Sequence, residues 1–297
     1  MFPYVTLMRP VNAFMSVIAV LIGGLLVAGK NPALFSNLYP LGFALVSVFL
    51  ITGAGNAIND YIDVESDKLN KPKRPIPSGR ISRRKALAFS VVLFAIGILF
   101  TLFINWACIL IAVINSILLM VYSYSLQDRI LLGNIVIGYL VGSTFLFGGA
   151  ALGNLLLPGL LMLLAGLSTI SREIVKDLED IEGDRKNFLK KLASGVKMRL
   201  SRFVGKKEAG LALEKGRAKA AAGIFMLLAI IISPLPYTLG ILGFTYLVIL
   251  VPTDLIFLSS IALLAKGGGK KKFSRVSRII KIGMFLALIA FIFGVLF

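Results

Sequence analysis

Apolar residues run along this chain in long, nearly unbroken blocks, with polar residues gathered between them. Nine such windows can be drawn, at about 10–29, 39–59, 86–105, 107–126, 131–151, 155–175, 218–234, 237–264 and 278–297. A helix needs roughly 20 mostly apolar residues to cross a hydrocarbon core about 30 Å thick. The pattern therefore predicts nine transmembrane helices. Asn105 and Trp106 divide the third window from the fourth, and Ser233, Pro234 and Pro236 divide the seventh from the eighth. The first window reads as a span and not as a signal peptide, since no short basic leader and convincing cleavage site flank it. Composition agrees: 58% of the 297 residues are hydrophobic and the mean hydropathy is +0.91, values that belong in lipid. The expected class is an all-α polytopic membrane protein forming one domain over 1–297, with cytoplasmic loops at about 60–85, 127–130, 176–217 and 266–277.

Charge orients those spans. The formal charge is +18, with 32 Lys and Arg. Eight of these lie near 60–85, one near 127–130, fourteen near 172–219 and seven near 266–281. With Arg9, that puts 31 on one face and leaves Lys30 alone on the other. By the positive-inside rule the N-terminus is cytoplasmic, the C-terminus extracytoplasmic, and any site among the basic loops opens to the cytoplasm of a cell membrane. Such loops meet anionic lipid headgroups, so no nucleic-acid partner is expected. No protein partner is legible.

The chain has one cysteine, Cys108, and no histidine. An intrachain disulfide, His-ligated zinc or haem, and Ser-His or Cys-His nucleophile pairs are thereby excluded. Chemistry here must run on carboxylates, amides, hydroxyls, cations and a bound metal.

The carboxylates are grouped. Of eight Asp, six fall into two copies of D-x-x-D-x-x-x-D: Asp60, Asp63 and Asp67, preceded by Asn59, and Asp177, Asp180 and Asp184. At about 100° per residue each triplet lies within a narrow arc of a continuous helix. Such like charges repel unless a cation neutralises them, and hard oxygen ligands next to phosphate select Mg²⁺. Cations flank both motifs, with Lys68 and Arg74 beside the first and Arg172, Lys176 and Arg185 around the second. Metal ions bridging the oxygens, with Arg and Lys on the rest, describe a receptor for a diphosphate. Surface acids capping helix ends are the plainer alternative, and one copy alone would not decide. A secondary transporter is the other class that composition allows, but its charged sites lie near the midplane on interrupted helices. Gly138, Gly142 and Gly148 are expected to let helices pack closely.

The stretch Asn59 to Asp67 resembles the first motif of the UbiA superfamily of intramembrane prenyltransferases, N-D-x-x-D-x-x-x-D. Arg74-Pro75-Ile76-Pro77-Ser78-Gly79 is similar to the R-P-x-x-x-G that follows it. Asp177 to Asp184, with Arg185 and Lys186, resembles the second motif, and Arg9-Pro10-Val11-Asn12 the R-P-x-N of the first helix. Tyr122-Ser123, Gly133-Asn134 and Gly148-Gly149 fit the middle of the pattern. The resemblance implies nine helices around a central cavity under a cytoplasmic cap of loops. It implies that Asn59, Asp63, Asp67, Asp177, Asp180 and Asp184 hold Mg²⁺ and diphosphate, with Asp60 counted among the catalytic group. It also implies that Arg74, Lys176 and Arg185 contact the diphosphate, and that Arg9, Asn12 and Tyr122 face the same pocket.

Two departures bear on the acceptor. Where aromatic-acceptor members carry a Lys after the Tyr-Ser pair, this chain has Gln127. The Thr-Leu-Pro that usually comes after the second motif gives way to a long basic stretch. A basic cap suits a lipid-like acceptor that carries its own phosphate. The implied reaction is Mg²⁺-dependent transfer of geranylgeranyl from its diphosphate, the donor, to the hydroxyl of geranylgeranylglyceryl phosphate, in archaeal ether-lipid synthesis. The alternative within the family is a quinone-type transferase acting on 4-hydroxybenzoate or a naphthoate.

Overall fold

The structure is a computed structural model. It describes residues 3–127, 130–193 and 201–297, and within these the side chains other than those of 32, 36, 69, 70, 130 and 183–214. Among the described residues there is no strand, and nine helices are long and apolar enough to cross a membrane. They are α1 (Pro10–Lys30), α2 (Tyr39–Ile62), α3 (Arg83–Thr101), α4 (Trp106–Val121), α5 (Ile130–Ala151), α6 (Leu156–Ala193), α7 (Ser201–Ile232), α8 (Phe244–Ala265) and α9 (Lys270–Leu296). Every apolar window thus contains one helix. Trp106, Ile231, Phe244 and Phe285 are between 65% and 74% exposed, side chains whose solvent is lipid.

The chain divides into two compact units, residues 1–163 with 296, and residues 164–295 with 297. In the first unit α2 packs against α1, α3, α4 and α5. Small residues permit this. Ser47 donates to the Gly97 carbonyl (2.8 Å), and Ser90 donates to that of Ala54 (2.9 Å), so α2 and α3 approach closely enough for hydroxyls to reach backbone. The α1–α5 crossing is tighter still. A Cβ on Gly23 would meet the Phe145 carbonyl, and one on Gly148 the Val20 carbonyl. Asn105 caps α4, accepting from the Cys108 N–H (3.0 Å) while its amide donates to the Ala150 carbonyl (2.8 Å). The polar break expected at 105–106 is therefore a helix cap.

In the second unit Ile174, Val175 and Leu178 of α6 form a core with Met226, Phe257, Val276 and Ile280. Ser171 donates to the Ala222 carbonyl (2.9 Å), joining α6 to α7. Pro234 and Pro236 end α7, and the Tyr246 hydroxyl donates to the Ser233 carbonyl (2.6 Å) there. Ser233 also donates to Asp254 (2.8 Å), which ties α8 to the end of α7.

Helix ends depart from the windows where apolarity and helicity part company. The stretch expected as a loop over 176–217 is helical to Ala193 and again from Ser201. Lys, Glu, Leu and Ala are good helix formers whether or not they sit in lipid, so helices outrun their apolar blocks. The same holds for α9, which starts at Lys270 instead of 278. Conversely, α8 starts later than its window, because Leu239–Leu242 is an apolar turn around Gly240, at φ 66°. The stretch 127–130 includes residues 128 and 129, outside the described residues.

Candidate functional site

The first motif lies where α2 ends. Helix α2 stops at Ile62, Asp63 comes next with φ −77° and ψ 7°, and a short helix Val64–Asn70 takes over. The backbone bonds Asp63 N–H to Asn59 (2.9 Å) and Asp67 N–H to Asp63 (2.8 Å) carry through the bend. An unbroken helix would put the three Asp on one arc. The bend instead sorts them into a buried pair, Asp60 and Asp67, and a more open carboxylate, Asp63.

The buried pair is neutralised by arginines from two directions. Arg74 Nη1 donates to Asp60 Oδ1 (2.9 Å) and to Asp67 Oδ2 (2.5 Å). The loop after the short helix brings it there. Ser78 N–H bonds the Arg74 carbonyl, Gly79 N–H that of Ile76, and Ile81 N–H that of Pro75, around Gly79 at φ 74°. Ile76 and Ile81 anchor this loop in a small core with Leu7, Ala57, Val64 and Ala86. Arg80 closes it by donating to the Lys73 carbonyl (2.5 Å), and Arg83 lies 4.6 Å above the Tyr61 ring.

Arg9 comes from the other side, forming an ion pair with Asp60 and donating to Asn59 Oδ1 (3.3 Å). It stands between a short helix, Pro3–Met8, and α1, at φ 47° and ψ 69°. It is the one non-glycine residue with positive φ among those described. Pro10 fixes the start of α1 and discourages right-handed helix in the residue before it. A left-handed non-glycine residue costs on the order of 1–3 kcal/mol, which the contacts to Asn59 and Asp60 offset. Asn56 supports the turn by donating to the Met8 carbonyl (2.9 Å).

Asp63 has different company. Its Oδ2 accepts from Gln127 Nε2 (3.3 Å), and Gln127 Oε1 accepts from Asn59 Nδ2 (2.8 Å). Among the described residues no Lys or Arg forms an ion pair with it. Gln127 comes directly after a π-helical turn, Tyr122–Leu126, that extends α4. Tyr122 opens that turn and is half-buried. Lys68 pairs with Glu65 on the exposed side (2.9 Å), and Asn12 is exposed and, among the described residues, makes no side-chain hydrogen bond to the cluster.

The second motif lies on the part of α6 beyond its apolar block. Glu173 binds both flanking cations, Arg172 and, at 3.4 Å, Lys176. Asp177 is half-buried, Asp180 is exposed, and Glu182 pairs with Lys215 of α7. The side chains of Asp184 and Arg185 lie outside the described residues.

Among the described residues no three Asp, Glu, Cys or His converge as a ready metal cluster. The donor chemistry of the first motif nevertheless fits a hard divalent cation. Its ligands are carboxylate and amide oxygens, and Asp63 is an anion held by a neutral amide. Arg9, Asn59, Asp60, Asp63, Asp67 and Arg74 are thus brought together. Gln127 belongs to the polar group of the first motif and Glu173 to that of the second, each lying outside the repeated Asp pattern.

An all-α, multi-pass membrane protein with an Asp–Arg cluster at the end of one span is the class that fold and site define. The chain belongs to the UbiA prenyltransferase family, whose model matches residues 16–289. It is 43% identical over 303 residues to the digeranylgeranylglyceryl phosphate synthase of Methanosarcina mazei, covering 98% of both chains. A solved structure of a digeranylgeranylglyceryl phosphate synthase superposes with a TM-score of 0.83 at 38% identity, over 99% of this chain and 98% of that one. A UbiA homologue from Archaeoglobus fulgidus, bound to GPP and Mg²⁺, shares the fold at TM-score 0.65 and 17% identity, covering 97% and 99%.

Proposed function

We propose that this prenyltransferase moves a geranylgeranyl group from geranylgeranyl diphosphate to the free hydroxyl of geranylgeranylglyceryl phosphate, with Mg²⁺. The near full-length likeness to digeranylgeranylglyceryl phosphate synthases carries this reading. Asn59, Asp63 and Asp67 would hold magnesium at the first motif, where their oxygens suit a hard divalent cation. Asp177, Asp180 and Asp184 would do so at the second. Bound Mg²⁺ supplies charge stabilisation for the departing diphosphate.

The protein's own groups do the rest. Arg9, Arg74, Arg172, Lys176 and Arg185 are cations for diphosphate and acceptor phosphate, and Arg forks match such oxygens. Asp60 is a holder of Arg9 and Arg74, presenting them at the end of α2. Apolar helices keep water from the allylic cation formed as the C–O bond breaks with its electron pair leaving on diphosphate. The acceptor hydroxyl oxygen then forms the ether bond and gives its proton to the released diphosphate. An alcohol is a poor nucleophile near neutral pH, so stabilising the leaving group supplies most of the acceleration. The cations face the cytoplasm, in line with the distribution of Lys and Arg along the chain.

Product analysis tests this. Purified protein is given Mg²⁺ and geranylgeranyl diphosphate with either geranylgeranylglyceryl phosphate or 4-hydroxybenzoate. The expected product is the diprenylated glycerol phosphate, lost in EDTA and in Asp63→Ala. Prenylated benzoate as the one product would overturn the acceptor, and no transfer to either would overturn the reaction.

A further inference from the structure

Gln127 belongs to no motif, yet its side chain bridges Asn59 and Asp63. The π turn that precedes it closes with the Gln127 N–H donating to the Tyr122 carbonyl (3.0 Å), one residue wider than an α-helical turn. One inserted residue rotates the next side chains by roughly 100° relative to a regular helix. Gly133 on α5 makes room for this turn. A Cβ there would come within 2.5 Å of the Leu126 carbonyl and 3.6 Å of the Tyr122 ring.

The direction of the bridge is set by what each group can do. A guanidinium only donates and a carboxylate only accepts. Arg9 donates to Asn59 Oδ1, so Asn59 Nδ2 faces Gln127 and donates to Oε1. Gln127 Nε2 is thereby turned toward Asp63 and donates to Oδ2. Cation and anion at the two ends dictate both amide orientations.

We propose that Gln127 is a positioning residue for the metal ligands of the first motif, holding Asn59 and Asp63 in a one-way chain of amide hydrogen bonds. This rests on the reading of Asn59 and Asp63 as magnesium ligands. By engaging Oδ2, Gln127 orients the Asp63 carboxylate and leaves Oδ1 to a cation, without adding charge. Other side chains fail for identifiable reasons. Lys only donates and would oppose the Asn59 amide, Glu only accepts and would repel Asp63, and Leu does neither.

The test uses full-length protein in detergent, without prenyl substrates, and follows Mn²⁺ binding by the loss of free-ion EPR signal. Groups that orient metal ligands are typically worth about 10–100-fold in metal affinity. Gln127→Leu and Gln127→Lys are expected to weaken Mn²⁺ binding at least about tenfold, with the Lys variant weaker because its charge stands beside Asp63. The Mg²⁺ concentration for half-maximal turnover should rise in parallel, while kcat at saturating Mg²⁺ falls much less. Gln127 is exposed, so both variants should remain monodisperse and helical. Binding within twofold of wild type in both would sink the proposal. A wild-type protein that binds no Mn²⁺ would instead overturn the metal-ligand reading on which it rests.

Discussion

Asp60 and Asp67 are each 3% exposed, and Arg74 reaches both, whereas Arg9 reaches Asp60 alone. Removing one partner of a buried ion pair leaves an uncompensated charge, which costs about 3–5 kcal/mol. Arg74→Ala strands Asp67 and leaves Asp60 with Arg9. Arg9→Ala leaves both carboxylates with Arg74, so its cost should be smaller. The expected order in thermal unfolding of the detergent-solubilised protein is wild type, then Arg9→Ala, then Arg74→Ala. The reverse order would show that the turn at Arg9, and not the paired carboxylates, holds this end of α2. The sequence made these residue types legible, since spacing alone flagged Asp60, Asp63 and Asp67. It did not reveal their separate roles, because a period of 3.6 assumes a straight helix and the chain bends at Asp63. Gln127 was visible only as a departure from a family pattern. Its partners depend on a π turn, which has no periodic signature.

At the scale of elements, all nine spans could be read from apolar windows, because lipid thickness demands a block of nearly fixed length. Where helices stop was less legible, since α6, α7 and α9 continue into charged residues that favour helix as well as apolar ones do. Close packing was foreseen at Gly142 and Gly148 from their size. A Cβ on Gly142 would strike the Met162 carbonyl, and one on Gly148 the Val20 carbonyl. These obstacles are backbone, which a rotamer change cannot clear. Overpacking costs typically about 1–3 kcal/mol, so Gly148→Val should lower the unfolding midpoint more than Gly223→Val. Nothing lies within 4 Å of a Cβ on Gly223, which also sits on a spanning helix, α7. Equal midpoints for the two variants would mean that the α1–α5 crossing opens at little cost.

For the whole molecule, the distribution of cations is what the proposed orientation of the spans rests on, and the two acidic motifs fall at the end of α2 and along α6, beside the stretches richest in Lys and Arg. Catalysis with a charged, water-soluble leaving group and an insoluble prenyl chain suits that arrangement, because diphosphate must depart to water while the chain stays in lipid. The proposed cytoplasmic opening has a direct consequence. The one native cysteine, Cys108, is fully buried, so it contributes little background to labelling from either side. Asn37, after α1, and Lys271, at the start of α9, are both exposed, the first in a connection whose one cation is Lys30 and the second in a strongly basic one. In intact cells or right-side-out vesicles, a membrane-impermeant maleimide should label Asn37→Cys at once. It should reach Lys271→Cys only after permeabilisation. Inverted vesicles should give the opposite pattern. Labelling of Lys271→Cys from outside would reverse the topology, turn 31 of 32 cations outward, and remove the cytoplasmic supply of prenyl diphosphate from the proposed reaction.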